Sequence, residues 1–133
     1  MLGEIGSRLT LLLEGRAKVR VKSPFVAFEF SEPEPDVAVV PVRSYVTAHP
    51  ADAYLLVEVN DSSSAKDSQL KARIYAEAGV PEYRIVDVFT RTVMACTEPT
   101  PNGYAQRTLR GPDGEVAPAR FPNARLRIAE LLE

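Results

Sequence analysis

The sequence of 133 residues contains one cysteine, one histidine and no tryptophan. A single cysteine, Cys96, cannot form a disulfide within the chain, so the fold must be held together by its core. Cys96 and His49 together cannot supply the sulfur and nitrogen ligands of a usual zinc site. If the protein binds a metal ion, oxygen atoms must therefore hold it.

The sequence also lacks an excess of basic residues and a long apolar run. Its 16 basic and 18 acidic residues give a formal net charge of -2, which excludes the general positive field that drives tight non-specific binding to nucleic acid. Any contact with DNA must therefore use a local patch. No apolar stretch approaches the roughly 20 residues that span a bilayer, and the N-terminus does not have the pattern of a signal peptide. We therefore expect a cytoplasmic protein without a membrane partner.

What the sequence does contain is the composition of an ordinary globular domain. Hydrophobic residues make up 45% of the chain and charged residues 26%, and this length suits one substantial core. We find no internal repeat, low-complexity tract or interdomain linker. We therefore expect residues 1–133 to form a single domain.

Hydrophobic periodicity predicts a mixed sheet with helices against it. Helical spacing over residues 2–14 predicts a first helix, and Gly15 supplies its C-terminal stop. Strict alternation over residues 17–22 predicts a half-solvated strand whose outer face carries Lys18, Arg20 and Lys22. The other predicted elements are strands over 25–30 and from 36, which complete a three-stranded meander, a central strand AYLLVEV, a helix over 64–78, strands near 83–88, 92–97, 104–109 and 115–118, and a last helix over 127–132.

Two acids and a lysine lie at informative places in this pattern. Glu58 follows four consecutive apolar residues of the central strand, where an isolated buried carboxylate would cost roughly several kcal/mol. Asp36 opens the apolar run DVAVVPV, and Lys71 lies inside the helix that follows Glu58. An acid on each of two buried strands, together with a helical lysine, is typical of a metal-dependent phosphodiesterase.

The same segments resemble a known family. PDVAVV, LLVEV, the polar turn followed by Asp67 and Lys71, and RIYAEAGVPEYRIVDV are similar to the Uma-two family of putative restriction endonucleases, in the restriction-endonuclease-like PD-(D/E)XK superfamily. The segment YAEAGVPEY is the most specific part, and the resemblance covers nearly the whole chain. It implies an α/β (α+β) fold with a mixed central sheet flanked by helices, here with additional C-terminal strands and an N-terminus shorter than is common in the family.

The resemblance implies that Asp36 and Glu58 are metal ligands on adjacent strands. Magnesium, for which manganese can substitute, prefers oxygen ligands, and the backbone carbonyl of Val59 is a candidate third ligand. The usual lysine of the superfamily would stand two residues after the second acid, where this sequence has Asn60. The resemblance implies that the lysine stands instead in the following helix, which makes Lys71 the expected catalytic cation. Such a cation orients the nucleophile or stabilises the charge that develops in the transition state.

Neighbouring residues have simpler structural explanations. Asp67, Lys71 and Tyr75 are spaced four apart, so they share one helix face, but Asp67 fits a helix cap and Tyr75 fits core packing. Arg84 stands where the family commonly has tryptophan, which could alter packing or an oligomer contact. The basic strand face fits solvation, although it could contact phosphates. The acids that could support the site from nearby or from the first helix are Glu4, Glu14, Glu34 and Asp61.

Three functions remain open at this point. The leading hypothesis is a magnesium-dependent endonuclease that hydrolyses phosphodiester bonds of DNA, as a homodimer if it cuts both strands. The second is a catalytically degenerate family member that acts as a DNA-binding or oligomerisation module. The third is a hydrolase of a smaller phosphoester, which the low net charge permits.

Overall fold

A computed structural model describes residues 2–13, 15–22, 25, 35–45, 48, 50–60, 65–111, 114–116 and 126–127, without the side chains of 2–5, 65–68, 115, 116, 126 and 127. Within these residues the chain forms two helices and eight strands. In order they are α1 (Leu2–Leu12), β1 (Lys18–Val21), β2 (Val37–Val40), β3 (Leu55–Asn60), α2 (Ala65–Glu77), β4 (Glu82–Asp87), β5 (Thr92–Thr100), β6 (Gly103–Arg110), β7 (Glu115–Val116) and β8 (Leu126–Arg127).

Six strands form one mixed sheet in the order β1-β2-β3-β4-β5-β6. Neighbouring strands are antiparallel except β3 and β4, which are parallel. Parallel neighbours need a crossover, and α2 supplies it. Strands β7 and β8 pair with each other in a second, two-stranded sheet. The predicted mixed sheet with helices against it is confirmed.

The two faces of the sheet carry separate hydrophobic cores, because successive side chains of a strand point to opposite faces. The core on the α1 side contains Leu9, Leu13, Ala17, Val37, Val39, Leu55, Val57, Val86 and Val93. The core on the α2 side contains Phe25, Ala38, Val40, Ala53, Leu56, Ala72, Tyr75, Ala76, Val80, Tyr83, Cys96 and Tyr104. The strands β2 and β3 are covered on both faces, which explains their nearly uninterrupted apolar sequences.

The end of α2 is fixed by its backbone. Gly79 has a φ angle of 82°, which glycine adopts without the steric cost that other residues meet. The N–H of Val80 then donates to the carbonyl of Tyr75 at 3.0 Å, and the N–H of Gly79 donates to that of Ala76 at 3.0 Å. This arrangement satisfies the last carbonyls of the helix and delivers the chain directly into β4.

The structure corrects part of the predicted element list. The last helix is wrong at Arg127, which belongs to strand β8 and pairs with Glu115; residues 128–132 lie outside the described part of the chain. The predicted strand over 25–30 also lies outside it, except for Phe25, which is buried and is not in a strand. The order of the predicted three-stranded meander is also wrong, because β1 is hydrogen-bonded directly to β2. Among the described residues, none of the helices has the length and apolar character needed to cross a membrane.

Candidate active site

The register of β2 and β3 brings the two predicted metal-binding acids together. Val37 is paired with Val57, and extending this antiparallel register by one residue places Asp36 opposite Glu58. Residues opposite each other on antiparallel strands have Cβ atoms about 5 Å apart. Ala38 and Leu56, which share faces with the two acids by alternation, belong to the core on the α2 side. Asp36 and Glu58 therefore face the helix that carries Lys71.

Asp36 is attached to the neighbouring strand by its side chain. Its Oδ2 atom accepts a hydrogen bond of 2.7 Å from the backbone N–H of Val59. The carbonyl oxygen of Asp36 accepts a further bond of 2.9 Å from the N–H of Lys22, just beyond β1. The carboxylate is thus held in one orientation, with its second oxygen, Oδ1, making no hydrogen bond within the described residues.

Glu58 is a buried carboxyl group with only 6% of its surface exposed. Desolvation raises its pKa from an ordinary value of 4.5 to about 7, against the opposing effect of the Lys71 ammonium. The charge of Asp36 contributes to this rise of the pKa, whereas hydrogen bonds from Tyr75 and Lys71 reduce it. Such a carboxyl is poorly stabilised as an anion, and a bound cation would favour its ionised form.

Lys71 approaches Glu58 from α2. Its Nζ atom lies 3.6 Å from Oε1 of Glu58, and its side chain is 32% exposed whereas that of Glu58 is 7% exposed. The lysine therefore connects the buried carboxyl with the solvent-accessible side of the site. This placement agrees with the geometry that the catalytic role requires, and that role itself stays a prediction.

Tyr75 contacts the site, although sequence reasoning assigned it to packing alone. It is fully buried and packs edge-to-face against the rings of Phe25 and Tyr83. Its hydroxyl also donates a hydrogen bond of 3.3 Å to Oε1 of Glu58, and burial raises the pKa of Tyr75, as does the Glu58 charge. The spacing of Tyr75 four residues after Lys71 was the available signal for this contact.

The donor atoms fit a hard cation such as magnesium. Asp36 and Glu58 offer carboxylate oxygens on facing positions, and such a cation keeps several waters when two carboxylates hold it. The described residues contain no group of three or more histidine, cysteine, aspartate or glutamate side chains that could hold a metal ion. A third protein ligand from this part of the chain would then be a neutral oxygen, such as a backbone carbonyl. The carbonyl of Val59 as a metal ligand stays a prediction. The N–H of the same residue donates its hydrogen bond to Asp36.

The structure describes only some of the other residues named from the sequence. Asp67 is in the first turn of α2, but its side chain is not among those described, and the same holds for Glu4 in α1. Asn60 is the last residue of β3. Arg84 is buried and its Nε donates to Oε2 of Glu82 at 2.7 Å. The positions Glu14, Glu34, His49 and Asp61 lie outside the described residues, as does Ser64, at which the predicted second helix begins.

The chain is similar to a family of known sequences and to solved structures. A sequence model of the Uma2 family, described as putative restriction endonuclease, matches residues 2–129. The structure is similar to a crystal structure of a putative nuclease of the DUF820 group from Anabaena variabilis, with a TM-score of 0.82, 15% identity, and coverage of 98% of this chain and 77% of that one. At this identity the likeness shows the fold alone. No protein with curated annotation matches.

Proposed function

Because the chain belongs to the Uma2 family of putative restriction endonucleases, we propose that it is a magnesium-dependent endonuclease that hydrolyses phosphodiester bonds of DNA. Family membership and the structural neighbour support a nuclease. The observation that carries the finer proposal is the cluster of Asp36, Glu58 and Lys71. In this cluster the Nζ atom of Lys71 lies 3.6 Å from Oε1 of Glu58.

Each residue of the cluster has a distinct part in this proposal. Asp36 and Glu58 would hold the cation through carboxylate oxygens, and the hydrogen bond from the Val59 N–H fixes the orientation of Asp36. When bound, the cation supplies Lewis-acid stabilisation of the charge that develops on the phosphoryl oxygens and acidifies the attacking water. Lys71 contributes a compact positive charge that can orient this water or stabilise the developing negative charge. Tyr75 holds Glu58 in place from the buried side.

Burial of Glu58 suits this chemistry. Two carboxyl groups that face each other repel when both are ionised, and one of them retains a proton to a higher pH. The pKa of Glu58, raised to about 7 by desolvation and by Asp36, follows this rule. A divalent cation removes the repulsion and must displace the proton, so cation binding should weaken in acid.

The experiment that tests the proposal is a nicking assay on supercoiled plasmid DNA. We expect cleavage that requires magnesium or manganese, and we expect Glu58→Ala and Lys71→Ala each to lower the rate by roughly 100-fold or more. Glu77→Ala and Arg73→Ala are matched controls, because both side chains are exposed on the same helix, α2. These controls should cleave at the rate of the unaltered protein.

The two other candidate functions give different results in the same assay. A degenerate family member would retain DNA or assemble without cleaving it, and Glu58→Ala would leave that binding unchanged. A hydrolase of smaller phosphoesters would turn over nucleotides in a metal-dependent way without retention on DNA. Absence of both metal binding and cleavage of any DNA form would overturn the proposal. The PD-(D/E)XK assignment, the homodimer and the cytoplasmic location stay predictions.

A further inference from the structure

The strand β1 carries its basic side chains on the same face of the sheet as the candidate active site. Arg20 is paired with Ala38 and Lys18 with Val40, and both partners belong to the core on the α2 side. Lys22 follows β1 directly and has a φ angle of 49°. Its N–H donates a hydrogen bond of 2.9 Å to the carbonyl of Asp36, so its backbone lies beside one of the two acids. We call Lys18, Arg20 and Lys22 the basic row.

The basic row leads directly to the two carboxylates. Lys22, Asp36 and Glu58 occupy one line across β1, β2 and β3 by the strand registers. Neighbouring strands are about 4.8 Å apart, so this line covers ~10 Å between the backbones of Lys22 and Glu58. Along β1, side chains on one face repeat every ~7 Å. A charged polymer whose scissile group lies at Glu58 would therefore pass over or beside the row.

Two members of the row are held in place by an aromatic ring. The guanidinium carbon of Arg20 lies 5.0 Å from the centre of the Tyr45 ring, and the Nζ atom of Lys18 lies 5.5 Å from it. The hydroxyl of Tyr45 donates a hydrogen bond of 2.7 Å to the carbonyl of Pro41, which fixes the ring. Contact with a ring face orders a cation without neutralising its charge.

The charges of the row are also available to a ligand. Lys18 and Lys22 are exposed, and Arg20 is partly exposed. Within the described part of the chain, none of the three forms an ion pair with a carboxylate. By contrast, Arg43 is paired with Asp52 at 3.3 Å and Arg84 with Glu82 at 2.7 Å. Positive groups that are ordered, unneutralised and adjacent to a hydrolytic site are suited to phosphate oxygens.

We propose that the basic row binds the phosphate backbone of a DNA duplex beside the scissile bond, and that it is the local patch which a chain of net charge -2 requires. Arg20 and Lys22 supply the main contacts, and Tyr45 positions Arg20. The contacts are to phosphates, so they set affinity and placement without reading sequence. This inference rests on the proposed function, because it identifies the substrate surface of the same site.

The test is the salt dependence of binding to a short fluorescent DNA duplex, measured by anisotropy in EDTA so that no cleavage occurs. Each lost phosphate contact should lower the slope of log K against log salt concentration by about 0.9. In the Arg20→Gln/Lys22→Gln protein we expect the magnitude of the slope to fall by nearly twice this amount, because two contacts are lost. Binding should be roughly tenfold weaker, and equally so for duplexes of different sequence.

Arg110→Gln is the matched control. Arg110 is exposed on β6, at the opposite edge of the sheet, and pairs with Val93, which belongs to the core on the α1 side. Its replacement should leave the slope unchanged. Circular dichroism checks folding, and the single Lys22→Gln change, at an exposed position, gives a second reading if the double change prevents folding.

The outcomes separate this inference from the proposed function. An unchanged slope in the double variant, an equal loss in Arg110→Gln, or no duplex binding by the unaltered protein overturns the role of the basic row. If the row-dependent binding is present but magnesium and manganese produce no cleavage, the basic row stands and the endonuclease proposal fails. If cleavage is metal-dependent but the slope is unchanged in the double variant, the endonuclease proposal stands and the role of the basic row fails.

Discussion

At the scale of the residue, Glu58 combines a position that disfavours charge with neighbours that partly restore it. The strand β3 is apolar up to this residue, and desolvation is the largest cause of its raised pKa. Lys71 at 3.6 Å and the Tyr75 hydroxyl at 3.3 Å oppose that effect without cancelling it. A buried carboxyl whose pKa is raised because burial disfavours its ionised form is typical of a functional site. Such sites often lower the stability of the protein in return for activity.

This balance predicts how Glu58→Gln changes stability with pH. The folded state holds the Glu58 proton up to pH of about 7, whereas an ordinary glutamate loses it at 4.5. Between these values the folded state binds more protons than the unfolded state, so the contribution of Glu58 to the free energy of unfolding falls as pH rises. Glutamine cannot ionise, and we expect the variant to be more stable than the unaltered protein by about 1–3 kcal/mol at pH 8.

Urea denaturation in EDTA at pH 4 and pH 8 measures this difference. At pH 4 the protonated carboxyl resembles the amide, and the two proteins should have nearly equal free energies of unfolding. The measurement compares two variants at each pH, so effects of acid on the rest of the molecule cancel. A stability difference that is the same at both pH values would contradict the account of Glu58.

At the scale of the element, β4 carries a buried ion pair on the face opposite the active site. Glu82 and Arg84 lie on the same face of β4 as Val86, a member of the core on the α1 side. Their exposed fractions are 3% and 4%. Their side chains meet at 2.7 Å. Arg84, at the position where the family commonly has tryptophan, is therefore accommodated by its neighbour two residues earlier on the same strand face.

We expect Arg84→Ala to destabilise the protein by about 3–5 kcal/mol, because it leaves the Glu82 carboxylate buried without this partner. The double change Glu82→Leu/Arg84→Leu should cost much less, since it removes both charges and keeps the apolar volume. Thermal and urea unfolding of the single and double variants provide the comparison. A single variant as stable as the unaltered protein, or a double variant less stable than the single one, would show that the pair has a different role.

The unit β3-α2-β4 was the most predictable part of the fold. Its apolar runs and the glycine after the helix are local signals, and the observed bounds, Leu55–Asn60, Ala65–Glu77 and Glu82–Asp87, lie within a few residues of those predicted. The error at Arg127 has a physical reason. A strand of two residues forms because of its partner strand, here Glu115 and Val116. Local periodicity cannot predict a partner that lies about ten residues away in the sequence.

The candidate site was predictable in its residues and less so in its contacts. Glu58 was identified because an acid at the end of a buried strand needs an explanation. That Asp36 stands opposite it depends on the register of β2 and β3, which follows from tertiary pairing and cannot be read from spacing. The contact of Tyr75 with Glu58 was not predicted, because a tyrosine on a buried helix face fits packing equally well.

At the scale of the whole molecule, the distribution of charge is more informative than its sum. The net charge of -2 gives no indication of an anionic partner. The sheet nevertheless places Lys18 and Arg20 on the face that also carries the two acids, and the backbone of Lys22 is hydrogen-bonded to Asp36. An anionic polymer can approach this face even though the molecule as a whole does not attract it, and binding should depend strongly on salt.

The claim on which the account depends is that Asp36 and Glu58 form one cation site beside Lys71. The most direct measurement is a crystal structure of the protein soaked with manganese, with the ion located by its anomalous scattering. We predict one ion bound by both carboxylates, on the side to which the Lys71 ammonium points, and no ion at that place in Glu58→Ala crystals. Manganese bound elsewhere, or a Lys71 side chain directed away from the two carboxylates, would contradict the account.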